Sequence, residues 1–189
     1  MTPDTAPSLT IRDAVPEDLP ALVALSKKTF SDKFAHLYHP EDLASFLEES
    51  HGEANYSRWL ADPRNLIRVA EDETGALKAY LLCSPLSLPA EKPMPGAVEL
   101  KRVYVDASLQ GRGLGSRFID EALAWARAQG APEIYLSVYS ENFEARRLYA
   151  RLGWEKVKEF IFPVGRHEDL EFLLRLRFDR GLACHSNRF

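Results

Sequence analysis

A glycine-rich loop between a predicted strand and a predicted helix constrains the fold of this chain more than any other feature. The loop spans Gln110–Gly115 and reads QGRGLG. Ala97–Val105 before it has the pattern of a strand, and Gly113–Gln129 after it has apolar residues at helical spacing, with Gly130 as the C-terminal cap. Glu133–Val138 then resumes a strand pattern. The two strands of such a strand–helix–strand unit must pair in parallel, which predicts the centre of a sheet covered by a helix.

The rest of the chain predicts hairpins and helices around this unit. A loop with four prolines covers Ser84–Gly96, and turns are expected at Glu73–Gly75 and Pro163–Gly165. We predict one α/β domain over residues 1–189, with a core at about 9–178, a loose tail at 180–189, and a mixed, mostly antiparallel sheet of about seven strands with helices on both faces. The other predicted strands are Leu9–Arg12, Leu66–Ala70, Leu77–Cys83, Glu155–Phe162 and Leu170–Phe178, and the other predicted helices begin at Pro16 and Pro40, lie near Trp59, or cover Phe143–Leu152.

Composition excludes several classes of protein. With 46% hydrophobic and 28% charged residues, the chain is typical of a soluble globular protein, and it has no apolar run of membrane-spanning length. Met1–Ser8 lacks the pattern of a signal peptide, so we expect a cytoplasmic protein without a membrane partner. The net charge of −4 argues against a nucleic-acid partner and is compatible with a cationic substrate.

Cysteine and histidine usage predicts neither a disulfide framework nor a metal cofactor. The two cysteines, Cys83 and Cys184, have no metal-ligand spacing. His36, His39 and His51 lie close together in the sequence, but no cysteine or carboxylate completes a ligand pattern. We therefore expect no metal site.

The chemistry of the glycine loop favours an anion site. Glycines allow a ligand to approach the backbone, the first N–H groups of a helix have no partners of their own, and Arg112 adds a positive charge. A pyrophosphate fits such a site, although a plain tight turn would have the same pattern. A nicotinamide loop is disfavoured because Ser116 replaces the last glycine of that motif and the expected acidic residue about 20 positions further on is missing. A P-loop is excluded because no Gly-Lys-Ser/Thr follows.

Three motifs together resemble the GNAT superfamily of N-acetyltransferases over about Val98–Phe160. The first pairs the strand Glu99–Val105 with the glycine loop, the second is the strand Tyr135–Val138, and the third is Asn142–Tyr149 followed by Leu152-Gly153-Trp154. The usual family ending is Gly-Phe, so Trp154 is a conservative departure.

The resemblance implies a binding site for acetyl-CoA as the co-substrate. The pyrophosphate would lie on the backbone of the glycine loop, and the pantetheine arm would add to the edge of the Glu99–Val105 strand. The Val103 N–H would also polarise the thioester carbonyl. The alternative is that Val103 and Val105 are ordinary core residues of the strand with no role in binding. The residues implied in cofactor binding are Val103, Tyr104, Val105, Gln110, Gly111, Arg112, Gly113, Leu114, Gly115, Ser116 and Asn142.

The resemblance also implies two catalytic residues. Tyr149 would be the general acid that protonates the CoA thiolate, although a tyrosine on a helix is commonly a half-buried aromatic. Asn142, two helical turns before it, would contact CoA or cap the helix. Glu99 stands where many family members carry a general base, and a solvated residue at the end of the sheet is the alternative.

The acceptor pocket is expected between the N-terminal helices and the last hairpin. Phe30 and Phe34 are the predicted substrate-binding residues, and Tyr38 and Trp59 could join them, with core packing as the alternative for each. Glu48 and Glu49 could attract a cation or simply face water. The similarity to the polyamine-acetylating branch rests on Phe30, Phe34, Tyr38, Asp42, Leu47, Val164–Gly165 and Asp169.

The predicted activity is transfer of an acetyl group from acetyl-CoA to a primary amine, by direct attack in a ternary complex. The acceptor is a small molecule, a polyamine or a peptide amine, and the residues do not choose among these. Use of a different acyl-CoA, or a non-catalytic acyl-CoA sensor, stays open as an alternative. A homodimer is compatible with the sequence.

Overall fold

The fold is built on one sheet of seven strands. The structure, a computed structural model, describes residues 8–178. The strands follow the order β1-β2-β3-β4-β5-β7-β6, and every neighbouring pair is antiparallel except β4 and β5. The predicted mixed sheet is therefore confirmed, with its parallel pair at the predicted place. The strands are β1 (Thr10–Asp13), β2 (Leu66–Glu71), β3 (Leu77–Pro85), β4 (Val98–Val105), β5 (Glu133–Tyr139), β6 (Glu155–Val164) and β7 (His167–Arg177).

Helices cover both faces of the sheet, as predicted. The residues of β3 alternate between two cores: Leu81 packs in the core under α4 and α5, and Tyr80 packs in the core under α1 and α3. Burial of Phe118 from α4 in the first core stabilises the fold by about 2–3 kcal/mol. The helices are α1 (Leu19–Phe34), α2 (Pro40–His51), α3 (Glu53–Ala61), α4 (Leu114–Ala128) and α5 (Phe143–Arg151).

Several predicted boundaries were wrong for local reasons. Pro16–Asp18 is a 3₁₀ turn, and the α-helix begins only at Leu19. Ser84 and Pro85 belong to β3, because pairing with β4 continues to its first residue. Gly113 precedes α4 with φ of +78°, a left-handed conformation outside the helix. Pro163 and Val164 continue β6, so the turn lies at Gly165 and Arg166.

The ends of the chain and its helices bear on two other predictions. The predicted loose tail at 180–189 and Cys184 lie outside the described residues. Among residues 8–178, no helix combines the length and apolar character needed to cross a membrane.

The parallel pair at the centre of the sheet is short. β4 and β5 pair only at Val98↔Ile134 and Glu99↔Tyr135. Lys101 has no partner in the β3–β4 register, which marks a bulge in β4 just beyond the last of these pairs. A bulge bends its strand and increases the local twist. The two strands therefore diverge after Glu99, and the second half of β4 faces a gap rather than a neighbouring strand.

Candidate active site

A cleft of about 1100 Å³ runs through the gap between β4 and β5. Residues from Leu100 to Val105 line one side of the gap, and residues from Leu136 to Tyr139 line the other. We name two parts of this cleft. The cofactor arm is lined by Gly111, Gly113, Gly115, Ser116, Asn142, Arg147, Tyr149 and Arg151, and the acceptor arm is lined by Phe30, Phe34, Tyr38, Phe46, Phe162, Asp169 and Glu171.

The glycine loop opens the cofactor arm at the start of α4. Gly111 and Gly113 have φ of +77° and +78°, a backbone conformation that residues other than glycine rarely adopt. Gly115 lies in the first turn of the helix, where a Cβ atom would meet nothing within 4 Å. The unpaired N–H groups of this turn make the arm suitable for an anion. Arg112 is exposed at the rim of the loop, while Leu114 is buried and anchors the helix in the core.

The second half of β4 presents to the gap backbone groups that no neighbouring strand pairs with. The N–H of Asp106 donates to the carbonyl of Lys78 on β3 at 2.8 Å. Because successive residues of a strand alternate in direction, the N–H groups of Tyr104 and Asp106 point towards β3, and those of Val103 and Val105 point into the gap. The side-chain amide of Gln110 donates to the Val105 carbonyl at 3.2 Å, which agrees with this direction.

Tyr149 lines the cofactor arm from α5. Burial raises the pKa of its phenol to about 12, so the hydroxyl is protonated at neutral pH. The ring packs edge-on against Trp154, with centroids 5.7 Å apart. The indole therefore occupies the core position of the usual phenylalanine and supports the tyrosine.

Asn142 caps α5. Its side-chain oxygen accepts a hydrogen bond from the N–H of Ala145 at 3.4 Å, so the capping alternative is observed. The residue also lines the cofactor arm, where its amide group is available to a ligand. Capping and cofactor contact are compatible at this position.

Glu99 lies at the base of the cleft and is fully buried, with 0% of its surface exposed. The alternative of a solvated strand residue is therefore wrong. The physical reason is the proline-rich loop, which folds back over the carboxylate. The N–H groups of Ser87 and Leu88 donate to Oε2 at 2.7 and 2.9 Å. The hydroxyls of Ser84 and Ser87 reach Oε1 at 3.3 and 3.0 Å, and Lys101 forms an ion pair with it.

The aromatic residues predicted for the acceptor all line the cleft. Phe30 is buried and packs against Phe34 and Tyr38 at centroid distances of 5.1 and 6.1 Å. Core packing and cleft lining are therefore combined in Phe30 rather than exclusive. Trp59 lines the cleft beside Arg102. Of the two glutamates, Glu49 lines the cleft, and Glu48 pairs with Lys27 on the outside.

The comparisons with known proteins identify the family. Residues 31–154 match the acetyltransferase (GNAT) family. An uncharacterized N-acetyltransferase from the pepI 3' region of Lactobacillus delbrueckii subsp. lactis is 30% identical over 159 residues, which cover 84% of this chain and 91% of that protein. The chain belongs to the GNAT acetyltransferase family. It is accordingly an N-acetyltransferase that uses a CoA-type co-substrate.

One further sequence relative of this acetyltransferase aligns over a smaller share of the chain, and a solved structure shares its fold. The N-alpha-acetyltransferase RimI of Mycobacterium tuberculosis is 34% identical over 104 residues, 55% of this chain and 61% of that protein. The PaiA N-acetyltransferase of Thermoplasma acidophilum, solved in complex with coenzyme A, superposes with a TM-score of 0.72 at 18% identity, covering 90% of this chain and 99% of that one. The second likeness shows the shared fold.

Four charged residues of the acetyltransferase line the cleft without having been assigned a site role from sequence. Arg147 and Arg151 stand one turn apart on α5 and face the cofactor arm, where their charge favours phosphate. Asp169 and Glu171 stand two apart on β7 and face the acceptor arm. Each pair has the spacing that places both members on one face, which is the sequence signal that could have found them.

The three histidines of the acetyltransferase do not form a cluster. His36 and His39 are exposed, whereas His51 is buried and its Nδ1 lies 2.6 Å from the hydroxyl of Ser26. Burial lowers the pKa of His51 to about 2, so the ring is neutral and belongs to the core. Within residues 8–178, no group of three or more histidine, cysteine or acidic residues is arranged to hold a metal ion.

Proposed function

We propose that this acetyltransferase transfers the acetyl group of acetyl-CoA to a primary amine by direct attack within a ternary complex. One observation carries the proposal: the glycine loop, the unpaired edge of β4 and the Tyr149 phenol all line a single cleft that continues into the acceptor arm. Both substrates can therefore be present at once, which direct transfer requires.

The cofactor arm supplies complementary groups along the length of acetyl-CoA. The N–H groups of the loop and Arg112 would bind the pyrophosphate, joined by Arg147 and Arg151 for the remaining phosphate charge. The amide-rich pantetheine arm would pair with the backbone of Val103 and Val105 as an added strand. This geometry brings the thioester to the Val103 N–H, which would stabilise the oxyanion that forms during attack.

Tyr149 would complete the transfer. The amine nitrogen attacks the carbonyl carbon and releases one proton to solvent, which later restores the Tyr149 phenol, while the carbon–sulfur bond breaks and its electron pair leaves on sulfur. The phenol, protonated because its pKa is raised to about 12, then donates its proton to the thiolate. The products are the N-acetylated amine and the free thiol of CoA.

We assign Glu99 a positioning role rather than that of the base predicted from sequence. Ser84, Ser87, Leu88 and Lys101 already satisfy both of its oxygens. A base that took a proton would lose several of these bonds, at a cost of about 1–3 kcal/mol for each donor left unsatisfied. Its carboxylate instead fastens the loop after β3 to the beginning of β4, where the cleft begins.

A thiol-release screen tests the proposed function. The protein is mixed with acetyl-CoA and one amine at a time, and free CoA thiol is measured with a disulfide reagent. The amines include alkylamines, arylalkylamines, polyamines, aminoglycosides, amino acids and peptide N-termini, the last because one relative is named for N-alpha-acetylation. Buried Cys83, whose thiol pKa is raised by burial, gives little background.

Amine-dependent thiol release supports the proposal, and mass spectrometry of the acetylated product confirms it. Binding of acetyl-CoA without release for any amine would contradict it and favour a sensor. Parallel reactions with longer acyl-CoA donors test the alternative acyl group: faster release with a longer chain than with acetyl-CoA would replace the proposed donor.

A further inference from the structure

Two carboxylates stand side by side on β7 and face the acceptor arm. Asp169 and Glu171 are two residues apart, so their side chains leave the same face of the strand. Leu170, which lies between them, and Glu168, which precedes them, are exposed on the opposite face. Asp169 is buried and Glu171 is half-buried, and carboxylates are rarely withdrawn from water without a cationic partner, so the pair suits a charged ligand.

Asp169 is almost completely buried, with 3% of its surface exposed. Its Oδ2 accepts a hydrogen bond from the Tyr38 hydroxyl at 2.5 Å. Its Oδ1 lies 3.1 Å from Nε2 of His167, but the angle is not that of a hydrogen bond, and this buried oxygen has no hydrogen-bond partner among the described residues. An acceptor left unsatisfied next to a cleft indicates a donor that arrives with a ligand.

Glu171 lies closer to the gap between β4 and β5. Its Oε2 accepts a hydrogen bond from the hydroxyl of Ser137 on β5, and Oε1 receives none from the described residues. Burial, together with the negative charge of Asp169, raises the pKa of Glu171 to about 7. A carboxyl group with a pKa near neutrality and one open oxygen has the properties of a general base.

The titratable groups around Glu171 come from several elements. Asp169 of β7 is the charged group that acts on it directly. Tyr38, Tyr139 of β5 and Tyr104 of β4 sense its charge, since it raises the pKa of each phenol. The phenol of Tyr104 also senses Tyr149, so Glu171 and Tyr149 both lie near this ring.

The cations of the cleft have other partners or lie further off. Arg102 of β4 donates to the Tyr56 hydroxyl and the Ser50 carbonyl at 2.7 and 2.6 Å. Lys33 of α1 lines the cleft but is exposed. Neither forms an ion pair with Asp169 or Glu171 among the described residues. The ionisable neighbour of Asp169 is His167, 3.1 Å away, which forms an ion pair with it only when the imidazole is protonated. With the imidazole neutral, both carboxylates keep their charge available for a ligand.

The walls of the acceptor arm are aromatic. Phe30 packs against Phe34, Tyr38 and Phe46, and Phe46 meets Phe162 edge-on at 5.8 Å. Such faces attract a cation and bury an apolar stem. The combination fits an ammonium group carried on a slender apolar chain.

We propose that Glu171 is the catalytic base of the reaction and that Asp169 holds the incoming ammonium of an alkyl- or arylalkylamine whose stem packs on the aromatic walls. The inference rests on the proposed function. The ammonium passes one proton to Oε1 of Glu171, and the electron pair of that N–H bond stays on nitrogen. The nitrogen then attacks the thioester carbon, the carbon–sulfur bond breaks, and Tyr149 protonates the departing sulfur. The new amide nitrogen releases its second proton, which returns to the Tyr149 phenolate through solvent, and solvent later takes the proton held by Glu171.

The test compares four proteins with acetyl-CoA and 2-phenylethylamine as the probe. They are the wild type, Glu171→Gln, Glu99→Gln and the surface control Glu168→Gln, each assayed for kcat/KM between pH 6 and 10. In the wild type and Glu168→Gln we expect activity to rise through an inflection near pH 7, where Glu171 loses its proton. In Glu171→Gln this inflection disappears, and activity at pH 7 falls by roughly 10²-fold.

The deficit of Glu171→Gln should shrink towards pH 10, because solvent then supplies the free amine without a base. Glu99→Gln should keep the inflection. A Glu171→Gln variant within about two-fold of wild type at every pH, or loss of the inflection in Glu99→Gln instead, would overturn the assignment. A fifth protein, Asp169→Asn, tests the ammonium site and should raise KM for the amine more than it lowers kcat.

An NMR titration of the wild-type protein tests the role of Glu171 without measuring activity. In protein labelled with ¹³C at the glutamate carboxyl carbons, the resonance absent from Glu171→Gln should titrate near pH 7 and shift when 2-phenylethylamine is added. A resonance that titrates near the ordinary glutamate pKa and ignores the amine contradicts the inference, whatever the activity. Absence of thiol release with every amine in the screen, by contrast, counts against the proposed function itself.

Discussion

The ring of Tyr149 stands edge-on to the indole of Trp154, with centroids 5.7 Å apart. The contact links the predicted general acid to the residue that ends the third family motif. It also explains why a larger ring is accepted there, since the indole fills the core while its edge supports the phenol. The packing against Trp154 thus orients the Tyr149 ring, whereas the hydroxyl supplies the proton.

Removal of the Tyr149 hydroxyl should slow the reaction without loosening the cofactor. We expect Tyr149→Phe to lower kcat by roughly 10²-fold, the usual scale for a general acid, with unchanged affinity for CoA by calorimetry. The effect is smaller if the thiolate leaves unaided. Trp154→Phe is the matched control, because it keeps the aromatic support and should stay within a few-fold of wild type. Full activity in Tyr149→Phe would exclude the phenol from the mechanism.

A carboxylate in the glycine loop should prevent cofactor binding. Gly115 is the right position, because it is helical and a Cβ there meets nothing within 4 Å, whereas Gly113 has positive φ and any side chain would strain it. Gly115→Glu should weaken CoA binding by at least 10²-fold through charge and bulk near the pyrophosphate. Ala124→Glu adds the same charge on the exposed face of α4 and should bind normally. Equal calorimetric affinities in both variants would rule out the loop as the phosphate site.

Loss of the Glu99 charge should affect stability more than the pH profile. The amide oxygen of Glu99→Gln can still accept from the N–H groups of Ser87 and Leu88, but the amide NH₂ replaces the oxygen that pairs with Lys101, so this ion pair is lost. We expect the free energy of unfolding to fall by about 1–3 kcal/mol in urea titrations. Ser87→Ala removes only the hydroxyl contact and should cost less. A Glu99→Gln variant as stable as wild type would show that the carboxylate does not fasten this loop.

The raised pKa of Glu171 predicts a pH dependence of stability. The folded protein keeps the Glu171 proton up to about pH 7, and the unfolded chain loses it near the ordinary pKa of 4.5. The folded state therefore binds more protons between these values, and stability declines as pH rises through this window. Glu171→Gln removes this decline, so its stability relative to wild type should increase by on the order of 1–3 kcal/mol from pH 4.5 to 8.

Urea titrations of both proteins at several pH values measure this difference. Glu168→Gln, which alters an exposed carboxylate on the same strand, should follow the wild type. Parallel curves for wild type and Glu171→Gln at every pH would mean that Glu171 titrates in the ordinary range.

Sequence patterns predicted the elements that depend on near neighbours. The glycine loop and the parallel pair were placed correctly and the helix after the loop to within one residue at each end, because each follows from residues close together in the chain. An open edge on the Glu99–Val105 strand was implied only by the family resemblance, and no sequence pattern predicted the gap itself, since it depends on a bulge at Lys101 that appears only in the pairing with β3. Family resemblance, rather than pattern, supplied the roles proposed for Val103 and Tyr149.

The carboxylates show where prediction from sequence stops. Glu99 is buried because the loop at Ser84–Leu88, remote from it in sequence, folds back over it. Asp169 and Glu171 lie on one face of their strand, and Glu168 lies on the other. Because both faces carry charge, the sequence does not indicate which face points into the protein. The partners that decide their chemistry, Tyr38 and Ser137, come from distant elements.

The short junction between β4 and β5 would give the co-substrate a structural role as well as a chemical one. Only two residue pairs join the four-stranded half of the sheet to the three-stranded half. A pantetheine arm hydrogen-bonded along β4 would bridge the two halves of the sheet. A free acetyl-CoA concentration of about 100 times its dissociation constant would add about 2.7 kcal/mol to the free energy of unfolding. Without bound acetyl-CoA only these two pairs join the halves of the sheet through the backbone, so the supply of acetyl-CoA would affect resistance to unfolding and proteolysis as well as turnover.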